Sequence, residues 1–381
     1  FDKYITQYYN SENCNYNLTK LVNLSDMGRK TLLVKIPGYS ESSCEELKVI
    51  DLLTVSMNEY SGVTEAVTSN FVNFVSNFNI NRMIIQNPPN ELINDLFRQY
   101  NETEIHIHNH EYKKINTKII KDFNDQSNKI ILGQENALQK ITQSLIIQQK
   151  LNKSDKPIVI MLYGPSGVGK TETGRFLANI MGEKMFYNQF SMFQNEGHLN
   201  YLYGDKVQSP SFAKDLLNRT SNIIFLDEFD KANHFVYSAM YELFDTGIFE
   251  DNNFHVNLKN TLIICTSNYD KPKQILEHLG APMFFRLNCC IKYDALSIDV
   301  IKQLIEKYYN SLTSQLSESE VKIVEMAKEH GVDLEVSLPN NLKWTIDAKT
   351  LSQEMASTIN MNAQIVEEVI EETTEELIEA I

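Results

Sequence analysis

Three apolar runs stand out along the chain because each is unbroken and ends abruptly in polar residues: 158–163 (Ile-Val-Ile-Met-Leu-Tyr), 223–226 (Ile-Ile-Phe-Leu) and 261–266 (Thr-Leu-Ile-Ile-Cys-Thr). A short run without alternation suits a strand covered on both faces, as in a parallel sheet. After the first run, Phe176, Leu177, Ile180 and Met181 fall at helical spacing. Residues 1–120 alternate less clearly. They predict strands at 31–36, 82–86 and 104–112 and helices at 44–57, 63–78 and 91–100, the last with Leu92, Ile93, Leu96 and Phe97 on one face. That mixture predicts a separate small α/β domain. The polar stretch 113–127, rich in Lys, Asn and Asp, is the expected linker. Beyond 295 the pattern predicts helices at 297–315 and 321–330, a strand at 334–337 and a final helix from about 349. From Ile365 onward apolar positions pair with seven glutamates, an amphipathic helix better suited to docking on the preceding elements than to binding a partner.

At 381 residues and 42% hydrophobic content, the chain has room for two or three domains with substantial cores. Its net charge of -15 argues against general affinity for nucleic acid. Cys14, Cys44, Cys265, Cys289 and Cys290 lack zinc spacing, and the last two sit in an apolar strand pattern. They read as reduced thiols of a cytoplasmic protein. No apolar run has the length of a membrane span, so no membrane partner is expected. The chain opens on Phe1, as expected of a fragment of something longer. His106, His108 and His110 alternate in a predicted strand, which would place them on one face as a metal site or as a solvated surface. Side chains along one strand diverge, and no cysteine or carboxylate cluster is linked to these histidines in sequence, so the solvated face is preferred.

The chemistry begins where the first apolar run ends. Gly164-Pro165-Ser166-Gly167-Val168-Gly169-Lys170-Thr171 lies between a strand and a helix, the context of a phosphate-wrapping Walker A loop. Glycines let backbone N–H groups point inward, and the helix start adds partial positive charge. Lys170 would reach the outer phosphates and the Thr171 hydroxyl would ligate Mg²⁺. The second run ends in Asp227-Glu228, where a buried strand would fix the first acid near the Mg²⁺ water shell and let the second orient an attacking water. The third ends in Ser267-Asn268. A parallel sheet gathers its strand ends at one edge, so Asn268 could hold that water against Glu228.

Gly133-Gln134, GPSGVGKTETGRFLA, FLDEFDKA, the TSN ending and Phe284-Phe285-Arg286 together resemble the AAA+ ATPase module of the Clp-type protein unfoldases, closest to their second nucleotide domain, over about residues 128–381. The resemblance implies a P-loop AAA+ parallel-sheet domain at 128–295 with a small C-terminal lid subdomain at 296–381, bound ATP and Mg²⁺, and assembly into a ring, usually a hexamer, that remodels a protein partner. Residues 1–120 match no family and would serve as the partner-binding domain. By the same resemblance Ile131 and Leu132 would pack on adenine, while Lys170 and Thr171 hold phosphates and metal. Asp227 would support the metal, Glu228 would activate water, Asn268 would be a sensor, and Arg286 would reach the neighbouring subunit's γ-phosphate.

Two positions depart from the family pattern. Lys349 stands where the lid's second-sensor arginine is expected, keeping the charge but losing the planar fork. The substrate-gripping aromatic of the family is flanked by glycines. Here the stretch reads Asn200-Tyr201-Leu202-Tyr203-Gly204, with Tyr201 or Tyr203 as the candidates. Rival readings are a torsin-like or defence-associated switch that assembles with ATP without threading a chain, and a DNA-associated AAA+ ATPase, which the acidic charge disfavours.

Overall fold

The computed structural model describes residues 5–6, 15–32, 49–151, 156–192, 199–313, 334–338, 342–346 and 359–360. In chain order the first region comprises β1 (Asn15–Asn17), α1 (Leu18–Leu32), β2 (Val49–Ile50), β3 (Leu52–Val55), α2 (Glu65–Ser69), α3 (Phe71–Val75), β4 (Asn79–Ile80), β5 (Met83–Ile85) and α4 (Asn90–Gln99). β1, β3 and β5 form a parallel sheet in that order, and β2 pairs with β4. The expected strand at 82–86 and helix at 91–100 are present. The span 63–78 is helical but divided at Asn70, whose φ of -130° leaves the helical range. Two expectations fail: β2 and β3 lie within the described part of the predicted helix 44–57, and 105–116 carries no strand pairing, so the three histidines share no strand face. Of the strand expected at 31–36, Thr31 and Leu32 close a helix and 33–36 lie outside the described residues.

The larger unit is built on β6 (Ile158–Tyr163). It is preceded by α5 (Thr117–Ile130) and α6 (Glu135–Leu151), and followed by α7 (Lys170–Ile180), β7 (Phe186–Gln189), α8 (Leu199–Tyr203), α9 (Phe212–Leu217) and β8 (Ile223–Asp227). Then come α10 (His234–Thr246), the hairpin β9 (Ile248–Glu250) and β10 (His255–Asn257), β11 (Leu262–Ser267), α11 (Pro272–Phe284) and β12 (Cys289–Lys292). The main sheet is parallel throughout, in the order β12-β6-β11-β8-β7.

Strand alternation sorts the unbroken apolar runs onto two faces. Val159, Met161, Ile224, Leu226, Ile263 and Cys265 join a core with Val236 and Met240 of α10 and Ile275 and Met283 of α11. Ile160, Leu162, Ile223, Phe225, Leu262 and Ile264 join the other core with Phe123, Ile141 and Leu177. Both faces are covered, which is why these strands carry no polar alternation.

The stretch 113–127, expected as a linker, instead contributes most of a core helix. Asn116 caps α5, its side chain accepting from the Ile119 N–H at 3.0 Å, and Ile120 and Phe123 are buried one turn apart. The Phe123 ring lies 5.9 Å from that of Phe176 on α7.

After β12 comes α12 (Ile298–Thr313), matching the predicted helix. A small antiparallel sheet follows, with β13 (Leu334–Leu338) between β14 (Leu342–Ile346) and β15 (Ile359–Asn360). β13 bears out the strand expected at 334–337, whereas β15 falls within the span expected to be the final helix. The predicted helix 321–330, Lys349 and the glutamate-rich tail lie outside the described residues.

The first region shares an apolar core with the larger unit, in which Leu53, Phe71 and Leu92 belong to one buried cluster with Phe212 and Phe249, and a polar seam runs beside it. The Asn90 N–H donates to the Asn253 carbonyl at 2.8 Å and the Gln208 side chain donates to Thr68 Oγ1 at 3.0 Å. Lys206 pairs with Glu65 at 3.0 Å.

Phe123→Ala is expected to lower unfolding free energy by about 3–5 kcal/mol in urea titrations. An unchanged midpoint would return 113–127 to the status of a linker.

Candidate functional site

The main sheet brings the three strand ends singled out in the sequence to one edge. β11 pairs with β6 on one side, Ser267 opposite Tyr163, and with β8 on the other, Cys265 opposite Leu226. The residues after each strand therefore meet: the glycine loop from β6, Asn268 from β11, and Asp227-Glu228 from β8.

The loop's backbone demands glycine at three points. Gly164, Gly167 and Gly169 have φ of 131°, 78° and 101°, which L side chains rarely adopt. A Cβ on Gly164 would lie 2.1 Å from the Tyr293 carbonyl oxygen. Pro165 and Ser166 sit at the outer bend, and Val168 is buried and anchors the loop. Thr171 follows Lys170 in the first turn of α7.

Lys170 is 7% exposed and curls back into the loop. Its ammonium donates to the carbonyls of Gly164 at 2.5 Å and Pro165 at 2.8 Å, and to Asn268 Oδ1 at 3.1 Å. Burial lowers its pKa to about 8, partly offset by the carboxylates of Asp227, Asp230 and Glu228.

Asp227 is held from both neighbouring strands. Thr266 Oγ1 on β11 donates to its Oδ1 at 2.5 Å, and the Tyr187 hydroxyl on β7 donates to its Oδ2 at 2.8 Å. The same Thr266 oxygen accepts from the Glu228 N–H at 2.8 Å. Glu228 sits in a left-handed conformation, φ 50° and ψ 43°, that turns the chain out of the strand. Its carboxyl accepts from Gln189 Nε2 at 3.2 Å. A hydrogen bond from Ser191, more than this contact or the nearby lysines, holds it below the usual carboxylate range despite partial burial. Asp230 is fully buried beneath the site, and burial raises its pKa.

Ile131 is buried at the end of α5, with a side-chain carbon 3.2 Å from where a Gly169 Cβ would stand. Leu132 is next to it and half-buried. Gly133 packs under Val300 and Leu296, so the start of α12 lies beside this apolar corner. Gln134 locks the corner to the segment after β12, donating to the Asp294 carbonyl at 2.8 Å and accepting its N–H at 3.1 Å.

Arg286 stands apart from this cluster, two residues past the end of α11. Its guanidinium bonds Asp245 through Nε at 2.9 Å and a terminal nitrogen at 2.8 Å, donates to the Pro282 carbonyl at 2.6 Å and lies over the Tyr241 ring. Phe285 beside it is 77% exposed.

The two tyrosines read as possible grips are not on a loop. Both belong to α8. The Tyr201 hydroxyl donates to Asp215 and accepts from Asn188 Nδ2 at 3.1 Å, while the Tyr203 hydroxyl donates to the Phe235 carbonyl at 3.2 Å. Gly204 then turns with φ 73° against the hairpin tip, where Asn252 donates to the carbonyls of Tyr203 and Gly204 at 2.8 Å each.

Sequence reading missed Tyr187, Gln189, Ser191 and Thr266. Tyr187 and Gln189 alternate along β7, and that period would have placed them on one face, whereas Ser191 lies in the 3-10 turn that follows. Their target becomes visible only once β7 is paired beside β8. Among the described residues no cluster of His, Cys, Asp and Glu could hold a metal by protein ligands alone, and no helix is long and apolar enough to cross a membrane.

With Lys170 depressed from 10.5 to about 8, the unfolded chain binds more protons than the folded one between those values, so stability rises with pH there. In denaturant titrations the protein should gain stability over its Lys170→Met variant as pH rises from about 8 toward 10.5. Parallel pH profiles would show that the lysine is not buried as described.

Residues 155–329 match the family model of the AAA domain (Cdc48 subfamily). A chaperone protein ClpB from Malacoplasma penetrans is 25% identical over 235 residues, 56% of this chain and 33% of that protein. A ClpA homolog from Fuscovulum blasticum is 25% identical over 238 residues, covering 55% and 30%. The AAA+ ATPase ClpV1 from Pseudomonas aeruginosa is 34% identical over 152 residues, covering 37% and 17%. The S. cerevisiae Hsp104-ADP complex aligns at a TM-score of 0.44 and 16% identity over 54% of this chain and 40% of that one. The chain thus spans about a third of the length of the first two relatives. With the glycine loop, the paired acids and the asparagine gathered at one edge of a parallel sheet, residues 155–329 match an AAA domain and are similar to the corresponding parts of Clp-type AAA+ proteins.

Proposed function

We propose that the protein binds Mg-ATP at this edge, hydrolyses it, and uses the cycle to drive ring assembly and remodelling of a protein partner. The observation that carries the reading is the meeting of Lys170, Asn268, Asp227 and Glu228 at the ends of three adjacent strands. The residues fit the ligand: a buried cation now capped only by neutral oxygens, a loop whose Gly164 has no room for a Cβ, and the hard oxygen donors of Thr171 and Asp227 that suit Mg²⁺. When bound, the metal neutralises phosphate charge.

Lys170 exchanges its carbonyl partners for phosphate oxygens, and Ile131 and Leu132 flank the adenine. Glu228, kept anionic by Ser191 and Gln189, is a weak base, so it orients and polarises water rather than removing a proton fully beforehand. Asn268 fixes the water's other side. Arg286, fixed by Asp245 and Tyr241, serves a neighbouring subunit, and Lys349 would act from the lid. We assign 1–120 to partner binding, 128–295 to the ATP-binding subdomain and 296–381 to the lid, in a hexameric ring in the cytoplasm.

A second reading is a switch that assembles with ATP without threading a chain. It is favoured by the internal hydrogen bonds of Tyr201 and Tyr203 and by the seam tying Lys206 and Gln208 to the first region. Nothing observed supports the DNA-associated reading, and the net charge of -15 opposes it.

Glu228→Gln should retain ATP binding while turnover falls by at least about 100-fold, as for loss of a positioned base. Wild-type turnover in a phosphate-release assay would remove Glu228 from that role. Arg286→Ala should reduce turnover about 1000-fold or more, with ATP affinity unchanged. Equal rates in the variant and the protein would exclude catalysis across a subunit boundary. If the chain is threaded, Tyr203→Ala should abolish unfolding of a tagged substrate, whereas the switch reading expects ATP-dependent assembly by light scattering and no unfolding by either form.

A further inference from the structure

Tyr187 has no part in the reading above, yet among the described residues its hydroxyl is one of two donors on the Asp227 carboxylate. β7 is the edge strand of the main sheet, and its register sets Tyr187 beside Phe225 and Gln189 beside Asp227. The Tyr187 ring stacks on Phe225, with centroids 6.0 Å apart and planes within 14°, which aims the phenol along the strand toward Asp227. Tyr187 remains 44% exposed. Water could satisfy such a hydroxyl, so its bond adds little to fold stability. What it does add is geometric. Asp227 is gripped on Oδ1 by Thr266 from the strand on one side and on Oδ2 by Tyr187 from the strand on the other. A carboxylate has about four lone-pair sites. Two are taken from the flanks, which fixes the rotation of the group and the direction of those that remain.

We infer that Tyr187 is a positioning residue for the divalent cation: its hydroxyl, acting through Asp227, orients the carboxylate that supports the metal's water shell. The inference rests on the Mg-ATP reading. It concerns the metal alone and makes no claim about the phosphates, whose contacts come from the glycine loop on a different strand. Groups that orient a metal's supporting carboxylate typically change metal affinity about 10- to 100-fold when removed. Because Asp227 would act through the metal's waters, the lower end applies.

Tyr187→Phe keeps the stacked ring and deletes only the oxygen. Mn²⁺ titration followed by electron paramagnetic resonance, with a non-hydrolysable ATP analogue present, reads metal affinity without turnover. The variant should bind the analogue in EDTA as the unaltered protein does, melt at the same temperature, and hold Mn²⁺ about tenfold more weakly. In an Asp227→Asn background the same substitution should have no further effect, because its route is gone. Unchanged Mn²⁺ affinity, or an equal loss in both backgrounds, would overturn the inference. If the unaltered protein fails to bind the analogue with Mg²⁺ present, the nucleotide reading itself falls, and that result is separate from a failure confined to the Tyr187→Phe variant's Mn²⁺ affinity.

Discussion

The parallel register of β6, β11 and β8 is the constraint on which the site depends. A one-residue slip of β8 against β11 would swap every side chain between the two cores and carry Asp227 and Glu228 away from Lys170. The register is secured by burial on both faces, where Val159 and Ile263 meet one core while Ile160 and Ile264 meet the other. The strand ends are polar because they leave those cores at a common edge. Placing a cation there is costly, as the fall in the Lys170 pKa indicates. The cost is limited by loop carbonyls and by three carboxylates arriving from the adjacent chain segment.

A second level of order joins this edge to the far side of the unit. Immediately after the paired acids, the Phe229 carbonyl accepts from the Tyr237 hydroxyl at 3.1 Å on α10. The first turn of α10 accepts from Tyr203, the backbone beyond Tyr203 is stapled to the hairpin tip, and the tip accepts from Asn90 of the first region. Each link is a hydrogen bond. The chain of contacts gives the first region a physical attachment to the segment following the acids.

The central sheet and its chemistry were legible in the sequence because buried parallel strands write themselves as unbroken apolar runs, and glycines with positive φ are hard to replace. The first region was harder. Its strands have two to four residues, too few to show a period, so 44–57 read as a helix although β2 and β3 lie within it. Residues 113–127 were misread for a different reason. Their composition is polar, and the two residues that matter, Ile120 and Phe123, gain meaning only against Phe176. Likewise Thr266 and Tyr187 are ordinary strand residues in sequence. They become partners of Asp227 through pairing, which no local pattern reports.

The central claim is that the Lys170 ammonium marks a seat for nucleotide phosphates. Isothermal titration of the protein with Mg-ATP at neutral pH, beside Lys170→Ala, tests it most directly. Saturable binding that weakens by at least about 10-fold in the variant is predicted, the loss of a charge-assisted contact being worth about 1.5–3 kcal/mol. Absence of binding, or equal affinity in the two proteins, would contradict the account.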